Sequence, residues 1–189
     1  MNQFHLLSAD TPDISIVIPC LNEEDTLSTC LEKLQMVAEQ KNFCMEVIVA
    51  DNGSQDDSID IALGFSAKVI HVSHKGYGSA LMGGIDAAKA PFVLMADADD
   101  SYDFLEIPKF FTKLQEGYDL VQGCRLPRGG GKIMSGAMPW SHRYIGNPLF
   151  TFLVRSWFRS PVNDVYCGMR AFRKSFYESL KMRCTGMEF

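Results

Sequence analysis

The sequence predicts an α/β fold built on a mostly parallel sheet with helices on both faces. Short apolar runs alternate with amphipathic stretches along the first two thirds of the chain, which is typical of successive strand–helix units. The apolar runs are nearly continuous, as in strands that are buried on both faces of a parallel sheet. With 189 residues, the chain is long enough for a domain with its own core.

The individual elements follow from local patterns. An apolar run that stops at Pro19 predicts the first strand, and leucines at helical spacing predict the first helix, with Asn22 as its N-cap. Turn-forming residues from Asp51 onward separate the second strand from a short helix. The predicted strands are 14–19, 45–50, 69–72, 92–96 and 120–123. The predicted helices are 27–38, 58–64, 79–90 and 107–115.

Three of these strands end in acidic segments. The first strand leads to Glu23, the second runs into Asp51, and the fourth runs into Asp97 and Asp99. Ligands of parallel α/β sheets bind outside the carboxyl ends of the strands. We therefore expect these carboxylates to line one site at a single edge of the sheet.

Charge is distributed unevenly along the chain. Residues 1–120 carry 20 acidic and 7 basic side chains, whereas residues 121–189 carry 3 acidic and 11 basic ones, for a net charge of −5. This split predicts a cation site in the first part and an anionic ligand or surface near the second. No nucleic-acid partner is expected.

Cysteine usage and hydropathy indicate the compartment. The six cysteines form no C-x-x-C pair and no zinc-ligand spacing, which predicts reduced thiols, no zinc site and a cytoplasmic location. No apolar run approaches the roughly 18 residues of a membrane-spanning helix. The first 13 residues lack the basic start and apolar run of a signal peptide, so we expect none.

The pair Asp97 and Asp99, in the sequence D-A-D after an apolar strand, predicts a divalent-cation site. Mg²⁺ binds oxygen ligands and commonly shares them between one or two carboxylates and substrate phosphates. A loop of solvated acids is the alternative for any isolated D-x-D. The position of this pair at the predicted ligand edge favours a metal–diphosphate site.

Other candidates are weaker when taken alone. Asp51 is placed to accept hydrogen bonds from a base or ribose, but an Asx-turn explains a lone Asp there better. Lys75, next to Gly76 before a helix, suits phosphate binding. The glycine spacing fits neither a dinucleotide fingerprint nor a P-loop, and no serine-hydrolase motif accompanies the histidines.

Residues 138–162 interleave aromatic and basic side chains, including Trp157, Phe158, Arg155 and Arg159. Such a mixture suits a membrane–water interface, where amphipathic rings and cations are both stable. A helix that packs on the sheet and exposes a basic face is the alternative.

Together, these segments resemble family 2 glycosyltransferases of the GT-A fold, a Rossmann-like three-layer fold that binds nucleotide sugars. The matching segments are 16–19, 22–23, 47–54, 75–76, 83–85 and 94–99. Within the family, the chain most resembles dolichol-phosphate mannose synthases and bacterial polyprenyl-phosphate glycosyltransferases. That closer resemblance lies in 99–101, 107–108, 119–125 and 164–170.

The resemblance implies a tail over 1–12 and a single GT-A catalytic domain over 13–189. Its part 13–123 would bind the nucleotide sugar, and 124–189 would face the acceptor and the membrane. Relatives continue beyond the position of Phe189, so we expect the chain to be truncated at its C-terminus.

The resemblance also implies roles in donor binding. Glu23 and Asp51 would line the base and ribose pocket together with Pro19 and Leu21. The residues implied to bind the donor diphosphate are Asp97, Ala98, Asp99 and Lys75, with a divalent cation, Mg²⁺ or Mn²⁺, held by Asp97 and Asp99.

For catalysis, the resemblance implicates Asp99 and two residues of the C-terminal part. Arg125 would approach the donor sugar or a phosphate, and Asp164 would act as general base or orient the acceptor. Arg170 would contact a phosphate of donor or acceptor. The implied reaction is an inverting, metal-dependent transfer of a hexose from a GDP- or UDP-linked donor to a polyprenyl or dolichyl phosphate at the cytoplasmic face of a membrane.

Two departures leave the identity of the base open. Leu21 replaces an aromatic residue that is frequent there, and Asn52 replaces the second residue of an Asp-Asp pair. The alternatives are a polysaccharide or protein acceptor, or a truncated module that binds sugar nucleotides without catalysis. A phosphatase with Asp97 as nucleophile is disfavoured, because that motif is usually on the first strand and here it follows the fourth.

Overall fold

The computed structural model describes residues 11–40, 44–127, 142–183 and 186. Contacts divide the chain into two compact units, which we call the first and second units. The described residues of Met1–Val121 and Ala171–Phe189 belong to the first unit, and those of Gln122–Arg170 belong to the second.

Within the described residues, six strands form one sheet. They are β1 (Ile14–Cys20), β2 (Met45–Asp51), β3 (Lys68–His71), β4 (Phe92–Met95), β5 (Leu120–Gln122) and β6 (Arg170–Arg173), in the spatial order β3-β2-β1-β4-β6-β5. The pairs β1–β2, β1–β4 and β2–β3 are parallel. The predicted α/β fold with a mostly parallel sheet is confirmed.

β6 was not predicted, and it runs against the direction of β5. The N–H of Arg173 donates to the carbonyl of Asp119 before β5, and the N–H of Gly123 after β5 donates to the carbonyl of Met169. The two bonds link residues in opposite chain order, which defines an antiparallel pair.

The helices are α1 (Glu24–Gln40), α2 (Ser58–Gly64), α3 (Tyr77–Ala87), α4 (Ile107–Gln115), α5 (Asn147–Phe158) and α6 (Lys174–Leu180). Short helical turns precede α4 (Phe104–Glu106) and α5 (His142–Gly146). The four predicted helices are present, with bounds shifted at α1 and α3. None of the helices within the described ranges is long and apolar enough to cross a membrane.

The predicted cap of α1 is wrong. The helix begins at Glu24, and the carbonyl of Glu23 accepts the first helical N–H bonds, from Thr26 and Leu27. Asn22 has a left-handed backbone (φ 59°), and its Oδ1 accepts a hydrogen bond from the N–H of Gln55. Asn22 therefore orders the loop after β2 rather than the helix.

The core of the first unit lies on both faces of its parallel strands. All seven residues of β1 are buried, as expected for a central strand. On one face, Leu27, Leu31 and Leu34 of α1 are fully buried. The chain moves from β1 to β3 in one direction and returns across the sheet to β4, so right-handed crossovers place α3 on the opposite face from α1. Ile85 of α3 packs there in a cluster with Val17. Burial on both faces explains why the apolar runs are continuous rather than alternating.

Gly84 brings α3 unusually close to the sheet. A Cβ built there would collide with Cγ1 of Val17 and would lie 3.1 Å from Cβ of Ala50. Val17 is a fully buried β-branched residue in a central strand, so its side chain has little freedom to move. Only glycine fits without displacing the helix.

We expect Gly84→Ala to destabilise the protein by about 1–3 kcal/mol, because the added methyl overpacks the helix–sheet contact. Urea denaturation measures this as a lower midpoint. Gly64→Ala in α2 is the matched control, since no atom lies within 4 Å of its built Cβ. The control should leave stability unchanged or raise it by up to about 1 kcal/mol. Equal midpoints for the wild type and Gly84→Ala would contradict the close contact.

Candidate active site

The loops after β1 and β2 are joined by hydrogen bonds from backbone to side chain. The N–H of Asn22 donates to Oγ of Ser54 at 3.1 Å, and the N–H of Glu23 donates to Oγ of Ser58 at 2.8 Å. In return, Gln55 N–H donates to Asn22 at 2.8 Å. Because each segment donates to the other, the bonds hold the chain after β1 and the chain after β2 together at the carboxyl ends of these strands.

Asp51 ends β2 with its side chain almost fully buried. Its carboxylate accepts hydrogen bonds from the N–H groups of Gly53 (3.1 Å) and Ser54 (2.9 Å), as in an Asx-turn, and it contacts Nδ1 of His71 at 3.1 Å. Burial alone would raise the pKa of Asp51, but hydrogen bonds from Ser54, His71 and Gly53 outweigh it and hold the pKa below its ordinary value. Asp51 is therefore an ionised anchor of this edge.

The other predicted base-pocket residues lie along the same edge. Pro19 is buried in β1, where it pairs with Ala50, whereas Leu21 follows the strand and is half exposed. Leu21 thus presents an apolar surface to solvent beside Asp51 and Glu23 in the loop network. This position is compatible with the predicted contact to a base.

Glu23 shows that the ends of β1 and β4 converge. Burial raises the pKa of Glu23 most, and the nearby negative charges of Asp99, Asp97 and Asp56 raise it further. The hydrogen bond from Thr26 lowers it, but not enough to offset the other effects. Because β1 and β4 pair in parallel, Glu23 and the D-A-D pair follow the same ends of neighbouring strands. Their combined negative charge favours a cation nearby. The structure therefore brings Glu23 together with the D-A-D pair, as the sequence predicts.

The D-A-D segment is held by contacts on each side. Oδ1 of Asp97 accepts a hydrogen bond from the hydroxyl of Tyr77 at 2.5 Å, and the buried Ala98 accepts one at its carbonyl from the thiol of Cys30 at 3.3 Å. Asp99 is exposed, and its Oδ1 accepts from the N–H of Ser101 at 3.0 Å. The contacts orient one partly buried and one exposed carboxylate at the end of β4.

The donor set fits a divalent cation that also binds a diphosphate. Across the described ranges, no three His, Cys, Asp or Glu side chains stand close enough to hold a metal ion by themselves. Asp97 and Asp99 supply carboxylate oxygens, which suit Mg²⁺ and Mn²⁺. Remaining positions on such an ion are normally filled by water and substrate phosphate oxygens.

Lys75 lies against the loop after β2. Its Nζ donates to the carbonyl of Asn52 at 2.5 Å, and a Cβ built at Gly53 would collide with that Nζ. Gly53 also has φ +98°, a backbone conformation that favours glycine. The glycine therefore admits the ammonium group to this edge of the sheet.

In the second unit, Asp164 is completely buried and is surrounded by donors. Its Oδ2 accepts from the backbone N–H (3.0 Å) and Nε (2.9 Å) of Arg125, and its Oδ1 accepts from Nη2 of Arg125 (3.2 Å) and Nδ2 of Asn147 (2.7 Å). Thr151, one turn along α5, donates to Oδ1 of Asn147 at 3.0 Å. Four bonds occupy about the full accepting capacity of a carboxylate.

Burial by itself would raise the pKa of Asp164, but the hydrogen bonds from Arg125 and Asn147 and the charge of Arg125 lower it below its ordinary value. A saturated, buried carboxylate with a lowered pKa is a poor proton acceptor. The geometry assigns Asp164 to holding Arg125 and does not support the predicted alternative of a general base.

Arg170 contacts the turn that precedes β6. Its Nε donates to the carbonyl of Cys167 at 3.1 Å, and its Nη2 donates to the carbonyl of Val165 at 3.3 Å. These bonds hold the turn in place, and a contact of Arg170 to phosphate stays a prediction.

Sequence reasoning missed three residues that shape these sites: His71, Tyr77 and Asn147. His71 is aligned with Asp51 only through the β2–β3 register. Tyr77 had a visible signal, since it follows the Lys75-Gly76 pair already noted. Asn147 begins α5, next to a proline, and only the fold brings it to Asp164. Residues 128–141, which include the start of the aromatic and basic stretch 138–162, lie outside the described residues.

The sequence matches a known family over most of the chain. A family model described as glycosyl transferase family 2 matches residues 15–181. The chain belongs to glycosyl transferase family 2. The matched range contains every site residue discussed above.

Two curated relatives of this chain come from Haloferax volcanii. The low-salt glycan biosynthesis hexosyltransferase Agl6 is 38% identical over 97% of this chain and 45% of its own length. A dolichyl-phosphate hexose transferase is 31% identical over 89% of this chain and 70% of its own length. The chain thus spans about half the length of Agl6.

Among solved structures, the chain resembles glucosyl-3-phosphoglycerate synthase from Mycobacterium tuberculosis, crystallised with Mn²⁺, UDP and glucosyl-3-phosphoglycerate. The TM-score is 0.66 with 24% identity, over 87% of this chain and 57% of that one. The likeness confirms the predicted GT-A type of α/β fold.

Proposed function

We propose that this glycosyltransferase moves a hexose from a nucleoside-diphosphate sugar to a polyprenyl or dolichyl phosphate, with a divalent cation and inversion at the anomeric carbon. The observation that carries the proposal is the parallel pairing of β1 with β4, which sets Glu23 at the same end of the sheet as Asp97 and Asp99, where a metal–diphosphate would neutralise their charges. The acceptor class is supported by the relative named as a dolichyl-phosphate hexose transferase.

Donor binding would use the edge formed by the loops after β1 and β2. Leu21 offers an apolar surface for the base, and Asp51 and Glu23 offer carboxylate oxygens to base or ribose donors. Lys75 would contact the diphosphate. A cation held by Asp97 and Asp99 would stabilise the negative charge that develops on the leaving nucleoside diphosphate.

In the transfer step, an oxygen of the acceptor phosphate attacks the anomeric carbon. The bond from that carbon to the donor phosphate oxygen breaks, and its electron pair leaves with the nucleoside diphosphate. A phosphate monoester has its second pKa at about 6, so the attacking oxygen is already ionised near neutral pH. No general base is required, which agrees with the saturated carboxylate of Asp164. Arg125, oriented by Asp164, would contact a phosphate or the donor sugar.

The test is a transfer assay with the full chain. The protein is incubated with UDP- and GDP-hexoses labelled in the sugar, Mg²⁺ or Mn²⁺, and a polyprenyl or dolichyl phosphate, and label is counted in the lipid phase. Metal-dependent labelling of the lipid supports the proposal. If label instead enters a competing polysaccharide or protein, the acceptor class is wrong. Folded protein that labels no acceptor with any donor would overturn the transferase proposal for this chain.

We also propose that the second unit docks on the membrane that holds the lipid acceptor. Exposed aromatic side chains cluster on and beside α5, with Trp157 and Phe158 more than 70% exposed. Arg159 follows them in an exposed position, whereas Arg155 donates to Asn163 at 2.7 Å and orders the next loop. Amphipathic rings beside a cation suit the interface of an anionic bilayer.

Replacing both Trp157 and Phe158 with Ser should weaken binding to vesicles of phosphatidylglycerol and phosphatidylcholine by at least about tenfold, because each aromatic ring contributes about 1.5–3 kcal/mol when buried. Cosedimentation measures the partition. Leu63→Ser is the control, since Leu63 is an exposed apolar residue of α2 in the first unit. Wild-type protein that fails to bind these vesicles at any salt concentration would contradict membrane docking.

A further inference from the structure

Asn52 joins the end of β2 to the segment between β3 and α3. Its side chain is 4% exposed, and Nδ2 donates to the carbonyls of Val72 (3.0 Å) and His74 (2.8 Å). Its Oδ1 accepts the N–H of Gly76 at 2.8 Å. One amide therefore satisfies three backbone groups within five residues.

The backbone of Asn52 holds the same segment from the other side. Its carbonyl accepts from Nζ of Lys75, in the space left open by Gly53. Side chain and main chain of one residue thus determine both the path of residues 72–76 and the place of the Lys75 ammonium.

The segment continues directly into the metal site. Gly76, which Asn52 holds, precedes Tyr77, the first residue of α3, and the Tyr77 hydroxyl donates to Oδ1 of Asp97. Gly76 has φ 124°, so its path into the helix depends on a conformation that other residues rarely adopt. Asn52, Gly76, Tyr77 and Asp97 form a continuous chain of contacts across the ends of β2 and β4.

We propose that Asn52 is a positioning residue that sets Lys75 and Tyr77 for the donor diphosphate and its cation. This inference rests on the proposed function, because it assumes that a nucleoside diphosphate with a divalent cation binds at Asp97. With this role, Asn52 does not select the nucleotide base, although its departure from the Asp-Asp pair had left the identity of the base open.

The chemistry requires an amide at this position. A carboxylate only accepts hydrogen bonds, so Asn52→Asp keeps the shape but directs an acceptor at the carbonyls of Val72 and His74. The carbonyls of Val72 and His74 then both lose the hydrogen bond from Nδ2. Such a loss is most costly where the groups are buried from water. The segment is then expected to move, taking Lys75 and Tyr77 with it.

The experiment measures the KM of the donor, kcat and the half-saturating Mn²⁺ concentration for the wild type, Asn52→Asp and Tyr77→Phe. We expect Asn52→Asp to raise both the donor KM and the half-saturating Mn²⁺ concentration at least about tenfold, a change that corresponds to about 1.4 kcal/mol. Tyr77→Phe should raise mainly the Mn²⁺ requirement. Asn22→Asp is the control for added charge at the same edge, because Asn22 uses only its accepting oxygen there.

A purely structural role gives a different pattern. A smaller folded fraction would lower kcat without changing the donor KM or the Mn²⁺ requirement, and that result would overturn the proposal. Combining Asn52→Ala with Tyr77→Phe adds a second test, since residues that act through one segment are not additive. Full additivity of their effects on Mn²⁺ binding would also overturn it.

Calorimetry with Mn²⁺ and a nucleoside diphosphate separates this proposal from the proposed function. If the wild type neither binds the metal–nucleotide nor transfers sugar, the proposed function fails and the positioning role fails with it. If the wild type binds and Asn52→Asp binds equally well, only the positioning role fails. Weaker binding by Asn52→Asp than by Asn22→Asp supports it.

Discussion

Replacing Asp97 with Asn should reduce sugar transfer by about 10²–10³-fold, the range seen when one preorganised charge-stabilising group is removed from an active site. The amide keeps the shape of the side chain and retains an oxygen for the Tyr77 hydroxyl, but it lacks the negative charge that binds a divalent cation. Because Asp97 is only partly buried at the end of β4, stability should change little. The loss is therefore expected in metal-dependent turnover rather than in folding.

The measurement is the initial rate of lipid labelling as a function of Mn²⁺ concentration. Asp100→Asn is the matched control, because Asp100 lies in the same segment but forms an ion pair with Lys33 of α1 at 2.5 Å. Such a partly exposed pair contributes at most about 1 kcal/mol to stability, and its loss should leave the transfer rate nearly unchanged. An Asp97→Asn variant with wild-type rate and metal response would show that Asp97 does not hold the proposed cation.

The fold was predictable where burial dictates composition. All seven residues of β1 and six of the seven of β2 are buried, so both strands appear as continuous apolar runs. β6 has only four residues, of which Arg170 and Arg173 are half-buried and Ala171 and Phe172 are buried. Four residues of mixed polarity are too few to predict a strand from the local sequence. The pairing of β6 with β5 also joins residues that are about 50 positions apart in the chain.

The site was predictable as a set of strand ends but not as a set of contacts. Topology alone predicts that the ends of β1, β2 and β4 lie at one edge, and the parallel registers of β1 with β2 and with β4 show that they do. The partners of Asp51 depend on register, because His71 aligns with it only in the β2–β3 ladder. The link from Arg125 to Asp164 crosses 39 residues, so no local pattern reveals that the base predicted there is already saturated.

The second large effect is expected at Asp164, where Asp164→Ala should destabilise the protein by about 3–5 kcal/mol. The substitution removes the buried carboxylate that pairs with the guanidinium of Arg125 and accepts the hydrogen bond from Nδ2 of Asn147. Asp164→Asn keeps the size and one accepting oxygen but removes the charge, so it should fall between the wild type and Asp164→Ala. Urea denaturation at neutral pH measures the three stabilities.

The pH dependence of the same variants separates an anchor from a catalytic base. The pKa of Asp164 is lowered in the folded protein, so its charge stabilises the fold fully at pH values above 3.8, the ordinary pKa of the carboxyl group. This stabilisation is lost as the pH falls through the folded-state pKa. The stability difference between wild type and Asp164→Asn should therefore be full at neutral pH and shrink on acidification below that value. An anchor also predicts that folded Asp164→Asn retains transfer within about tenfold of the wild type, whereas loss of a general base costs about 10²–10⁴-fold. A stable Asp164→Asn variant with a loss in that range would return Asp164 to the role of base.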